Sequence, residues 1–92
     1  MHPPATVGRM GTAKNSALLR ALAVEIKAQR ARLGISQDEL ALRSGLSRTF
    51  IGRIEVAQNQ PTITALFKLA EGLEISAVDL VKAIASRRRR EE

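Results

Sequence analysis

The chain has 92 residues, 45% of them hydrophobic, and a formal net charge of +6 at neutral pH. That length suits a single domain, since independent cores need at least ~50 residues and commonly take ~100–150, so a separate sensor or effector domain is not expected. Phe50 and Phe67 are the only aromatics, which argues against a single-strand binder built on base stacking.

There is no Cys and the one His is His2. Without a Gly-rich phosphate loop or a metal-ligand spacing, no enzyme activity, cofactor or metal is expected. The absence of Cys fits a reducing compartment. Residues 1–14 carry no apolar run that would make a signal peptide, and no apolar stretch approaches the ~20 residues of a membrane span. A cytoplasmic location is the expectation. The charge is uneven: residues 1–35 hold Arg9, Lys14, Arg20, Lys27, Arg30 and Arg32 against Glu25 alone, and 87–92 hold four Arg against two Glu. Such a surplus suits a phosphate-rich partner.

In chain order, residues 1–14 show no period and read as a flexible N-terminal arm. From Asn15 or Ser16, the residues Leu19, Leu22, Ala23, Ile26 and Leu33 recur at helical spacing, and Gly34 ends that helix. Ser36-Gln37-Asp38-Glu39 is a capping box. It opens a two-turn helix that turns Leu40 and Ala41 inward and closes at Ser44-Gly45. Ser47 caps a third helix, with Ile51 and Ile54 inward and Glu55 near its end. Val56–Pro61 is a polar connection. Thr62 caps a fourth helix, expected to bury Ile63, Leu66, Phe67 and Ala70, with Gly72 near its end. Ser76 caps a fifth, carrying Val78, Leu80, Val81 and Ile84, which frays into Arg87–Arg90. No alternating run suggests a strand. The expected organisation is an all-α, compact five-helix bundle over 15–86, with a charged tail at 87–92.

Three features converge between Gln37 and Glu55. Gly45 supplies the positive φ of a tight helix–helix turn, Ala41 offers a small side chain where the two helices cross, and Ile51 and Ile54 lock the third helix onto the second. With Arg30, Leu33-Gly34-Ile35, Pro61-Thr62, Leu66 and Leu69-Ala70, these residues resemble the Cro/repressor (XRE) helix-turn-helix family over about residues 20–84. The resemblance implies a lambda-repressor-like DNA-binding fold with helix 47–55 in the major groove of double-stranded DNA. It makes Arg48, Thr49 and Arg53 base-reading residues, and Gln37, Ser47 and Arg43 phosphate contacts. Helix geometry independently sets Arg48, Thr49, Gly52 and Arg53 on one face, opposite Ile51 and Ile54. Arginine pairs well with guanine O6 and N7. Two positions depart from the family pattern: Ala57 stands where Gly is usual, and Gly52 where Ser is common.

The match at Arg30 and Glu55, both on inward sides of their helices, predicts a partly buried ion pair. A homodimer is expected, because one recognition helix reads few base pairs, and Leu80, Val81 and Ile84 are its candidate contacts. The function implied is a sequence-specific transcriptional regulator, a repressor or activator, on a palindromic operator. The alternative is an antitoxin-type protein that neutralises a partner toxin and represses its own operon.

Overall fold

Each helix boundary is set by a side chain or backbone turn that satisfies the groups a helix leaves unpaired at its ends. The computed structural model describes the backbone of residues 4–91 and the side chains of residues 16–90. It contains α1 (Pro4–Leu33), α2 (Gln37–Ser44), α3 (Arg48–Glu55), α4 (Ile63–Gly72) and α5 (Ala77–Glu91). The arm expected at 1–14 lies wholly outside the residues whose side chains are described, and the helix expected from Asn15 or Ser16 begins at Pro4.

At the N-termini, hydroxyls accept from the amide three residues on: Ser36 from Glu39, Ser47 from Phe50, Thr62 from Ala65 and Ser76 from Asp79, each at 3.0 Å. Such a cap contributes ~1 kcal/mol. The other half of the expected box at Ser36 is replaced: the Glu39 carboxylate accepts from Arg43 Nε at 3.0 Å. At the C-termini, α1, α3 and α4 end in paired reverse bonds of one pattern. Gly34 N–H donates to Ala31 and Ile35 N–H to Arg30; Ala57 to Ile54 and Gln58 to Arg53; Glu74 to Glu71 and Ile75 to Ala70. This motif requires a left-handed residue at its centre, and φ is +68° at Gly34, +60° at Ala57 and +58° at Glu74. Gly45, at φ +74°, closes α2 through a single bond to Ala41.

The core is aliphatic. Ile26, Leu40, Ile51, Ile54, Leu69, Leu73 and Leu80 are fully buried, with Ala21, Leu22, Ala70 and Ile84 around them. Helix α1 packs on α3 and α5, and α2 packs on α3 and α4. No described helix is long and apolar enough to cross a membrane.

Two packing expectations are corrected. On α4, Ile63 and Phe67 are 71% and 55% exposed, while Ala65, Leu69 and Ala70 are buried. The cause is Gly72. A Cβ there would lie 3.0 Å from Leu40 Cδ1 and 3.1 Å from the Ser44 backbone nitrogen, so α2 approaches α4 too closely at this glycine for a side chain. That contact turns the stripe Ala65–Leu69–Gly72 inward and leaves Ile63 and Phe67 outside. On α5, Leu80 is fully buried and Ile84 is 6% exposed. These two expected dimer contacts are core residues, whereas Val81, at 46%, is on the surface.

The expected frayed tail is also different. Helix α5 continues to Glu91, and Arg87 Nε donates to Glu25 Oε1 at 2.6 Å. Glu25, only 5% exposed, also accepts from Gln29 at 2.6 Å. Arg32 caps α4 from α1 by donating to the Leu73 carbonyl at 2.8 Å.

Candidate nucleic-acid interface

The orientation of α3 follows from its two ends and its buried side. Ser47, at φ −76° and ψ 151°, starts the helix, and Ile51, Ile54 and Glu55 face inward. Residues 48, 49, 52 and 53 are therefore on the opposite side. Arg48, Thr49 and Arg53 are exposed. Gly52 has open space at its Cβ position, with nothing within 4 Å. The result is a surface with two guanidinium groups and one hydroxyl, carried on a helix whose other side is fixed in the core.

Glu55 fixes the far end. Its carboxylate accepts from Arg30 Nε at 2.6 Å and Arg30 Nη2 at 2.9 Å, a two-pronged pair, and from Gln37 Nε2 at 2.9 Å. Arg30 Nη1 also donates to the Ile35 carbonyl at 2.9 Å, bracing the turn that follows α1. Burial pushes the Glu55 carboxyl up. The hydrogen bonds from Arg30 and Gln37, with the charges of Arg30 and Lys27, outweigh that effect and hold it below the ordinary carboxylate range. The reciprocal bond to Glu55 raises Arg30 against its own desolvation. The pair is thus charged, and it ties α1, the start of α2 and the end of α3 at one point.

The sequence-predicted residues fall in three places. Arg48, Thr49, Arg53 and Ser47 lie together on or beside the outward side of α3. Gln37 stands at the start of α2, half-buried, with its amide nitrogen turned to Glu55. Arg43 is elsewhere. Six residues along α2 from Gln37, it is turned by about 120° on the helix, and it donates to Glu39 and to Glu74, both at 3.0 Å. It braces α2 against the connection after α4, so its expected phosphate contact is not supported by its placement.

One residue of this surface escaped the sequence reading. Asp38, taken only as a helix start, has its Oδ1 3.3 Å from Arg48 Nε. The available signal was positional: an acid in the first turn of α2 and an arginine opening α3 both lie at helix starts that the turn at Gly45 brings side by side.

Comparison with known proteins agrees with this fold. The helix-turn-helix family model matches residues 26–80, more than half of the chain. Over 48 residues the chain is 38% identical to the uncharacterized HTH-type transcriptional regulator y4dJ of Sinorhizobium fredii, covering 52% of this chain and 62% of that protein. Over 60 residues it is 37% identical to the control protein C.SmaI of Serratia marcescens, covering 65% of this chain and 71% of that one. The crystal structure of the wild-type restriction-modification controller protein C.Esp1396I superposes with a TM-score of 0.73 at 33% identity, over 79% of this chain and 95% of that one. The chain belongs to the helix-turn-helix family of the XRE type, a family of DNA-binding transcriptional regulators.

Proposed function

We propose that this protein binds a two-fold symmetric operator as a homodimer, with α3 in the major groove of each half-site. The observation that carries this reading is the outward face of α3. Arg48, Thr49 and Arg53 project from a helix whose opposite side is locked by Ile51, Ile54 and the Glu55 cluster. Paired donors of Arg48 and Arg53 read guanine edges, and Thr49 packs a methyl and a hydroxyl against a neighbouring base. Ser47 and Gln37, at two helix N-termini, meet phosphates through backbone amides. Such a protein works in the cytoplasm, where the DNA is.

A dimer spaces its two recognition helices about one turn of DNA, ~34–36 Å, apart. The surface offered for the two-fold contact is apolar. Ile63 and Phe67 lie one turn apart on α4, Val78 and Val81 one turn apart on α5, and all four are exposed. Ile63 and Val81 also line one groove of about 360 Å³, with Leu18, Leu22, Pro61 and Leu66. Exposed apolar surface grouped in this way marks an interaction site.

Selection from a pool of randomised duplexes at two salt concentrations, followed by titration of the selected duplex, tests the reading. Arg48→Ala and Arg53→Ala are each expected to lose ~1–3 kcal/mol and to relax preference at a single base pair. Binding of both variants to operator and random duplex in the wild-type ratio would refute it.

A further inference from the structure

Asp38 and Arg48 form the ion pair that touches the outward side of α3. Asp38 Oδ1 is 3.3 Å from Arg48 Nε, and the side chains are 82% and 61% exposed. Their exposure decides what the pair does. An exposed ion pair contributes ~0–1 kcal/mol to folding, and the start of α2 is already capped by Ser36. A first-turn acid also favours the helix dipole, but that role does not require contact with α3. Beside a phosphate backbone, moreover, a carboxylate opposes binding. Stability gives little reason for the pair, and general affinity for DNA gives a reason against it.

What the pair supplies is direction. A guanidinium is a planar fork whose donors have fixed relative positions. Asp38 meets Arg48 on its Nε side, and the two terminal nitrogens are the donors at the end of the fork. Two parallel N–H donors at that end match the O6 and N7 acceptors of guanine. Arg53 provides the contrast on the same face: among the described residues it has no ion-pair partner.

We infer that Asp38 is a positioning residue that holds Arg48 for end-on reading of one guanine and sets the stringency at that base pair. This rests on the reading of α3 as the recognition helix. The Asp38 carboxylate restricts the rotamers of Arg48 before DNA arrives, so less conformational freedom is lost on binding. It also repels phosphates when no guanine is there to engage Arg48, so non-specific duplexes bind less well. Arg53, without such a partner, accepts alternative contacts, and its base pair is the more permissive of the two.

The test uses the full chain, the duplex selected from the random pool, and every single-base-pair substitution of that duplex. Wild type, Asp38→Ala, Asp38→Asn, Arg48→Ala, Arg53→Ala and the double variant Asp38→Ala/Arg48→Ala are compared. The Arg48→Ala and Arg53→Ala profiles first identify the base pair that each arginine reads. In Asp38→Ala, discrimination at the Arg48 base pair is expected to fall at least about threefold, a fraction of what a bidentate contact supplies. Discrimination at the Arg53 base pair stays at the wild-type ratio, and affinity for random duplex rises. Asp38→Asn, which keeps an acceptor but not the charge, falls between wild type and Asp38→Ala. In the double variant, loss of Asp38 changes the profile no further than Arg48→Ala alone.

A profile abolished at one base pair by Arg48→Ala yet untouched by Asp38→Ala overturns the role of Asp38 and leaves the recognition-helix reading intact. Equal loss at every position in Asp38→Ala, with a lowered melting temperature, also overturns it, because that pattern is structural. A wild-type profile in both arginine variants removes the recognition-helix reading, and the role of Asp38 goes with it.

Discussion

Replacing Glu55 with Gln keeps the shape of the side chain and removes its charge, which makes it the sharpest probe of the cluster joining α1, α2 and α3. Glu55 is 4% exposed and accepts three hydrogen bonds, two of them from the Arg30 guanidinium. A glutamine amide presents one acceptor and one donor group, so its nitrogen would face donors and at least one prong of the pair is lost. Breaking a fully buried pair costs ~3–5 kcal/mol. Arg30 is 21% exposed and keeps its bond to the Ile35 carbonyl, so water and that carbonyl recover part of the loss. The expected cost is therefore ~2–4 kcal/mol, a large share of the ~5–15 kcal/mol that holds a domain together. At ~4–8 °C per kcal/mol for a chain of this size, the melting midpoint drops by roughly 10–30 °C.

Urea and thermal unfolding followed by circular dichroism measure the difference, with Glu39→Gln as the exposed control, whose loss should be ~0–1 kcal/mol. The pH dependence supplies a second check. The carboxyl of Glu55 is held below its ordinary value in the folded chain, so the unfolded state binds its proton more readily. Its contribution is fully present above the unfolded value, about 4.3, and is lost as the pH falls through the lower folded value. The gap between wild type and Glu55→Gln should be constant from neutral pH down to about pH 5 and close in stronger acid. An unchanged midpoint at neutral pH, or a gap that persists undiminished in acid, would refute the assignment.

Three other expectations follow from the packing. Arg87→Ala leaves the Glu25 carboxylate nearly buried with, among the described residues, Gln29 as its remaining partner, so it is expected to cost more than the ~0–1 kcal/mol of a surface arginine; equal denaturation midpoints for Arg87→Ala and Arg89→Ala would contradict that. Ala57→Gly relieves a left-handed conformation that costs an L-residue roughly 1–2 kcal/mol, offset by about 0.4–1 kcal/mol of added freedom in the unfolded chain. It should raise stability by up to about 1.5 kcal/mol, and a loss in urea titration would count against the backbone argument. Val81→Glu should give a folded monomer in sedimentation with weakened operator binding, while Leu80→Glu should fail to fold. A Val81→Glu dimer of wild-type strength would remove α5 from the interface.

The local punctuation of this chain was legible because its causes are local. Ser36, Ser47, Thr62 and Ser76 each cap a helix within three residues, and Gly34 and Gly45 end the helices before them. Ala57 could be noticed as a departure but not explained, since a positive φ is visible only once the reverse bonds after α3 are formed. Which side of α4 turns inward was not legible from hydrophobicity. Ile63–Leu66–Phe67–Ala70 and Ala65–Leu69–Gly72 are both uncharged stripes at helical spacing. The decision was made by a long-range contact, the closeness of α2 to Gly72, and the small residue in the second stripe was the available clue. On α5 the apolar residues divide between two sides: Leu80 and Ile84, expected at a dimer contact, are in the core, whereas Val78 and Val81 are exposed. Leu80, Ile84 and Arg87 follow i, i+4, i+7 and share the inward side, which also explains why one arginine of a uniform-looking run pairs with buried Glu25.

The site shows the same division, with an added reason. Arg48, Thr49 and Arg53 were readable because they oppose Ile51 and Ile54 on a single short helix. Gln37 is harder to read because its side chain and backbone serve different ends. Its amide nitrogen is bound to Glu55, so the side chain connects the start of α2 to the end of α3. Its position at the first residue of α2 leaves the helix N-terminus available to a phosphate. The polar cluster of Arg30, Gln37 and Glu55 ties α3 to α1 and to the start of α2, while Leu40, Ile51 and Ile54 pack α2 against α3. Apolar packing alone tolerates small slips of one helix along another. A two-pronged arginine–carboxylate pair, with its fixed donor geometry, does not. The buried charges therefore fix the end of α3 against α1, and through Gln37 against the start of α2, and with it the direction in which Arg48 and Arg53 project.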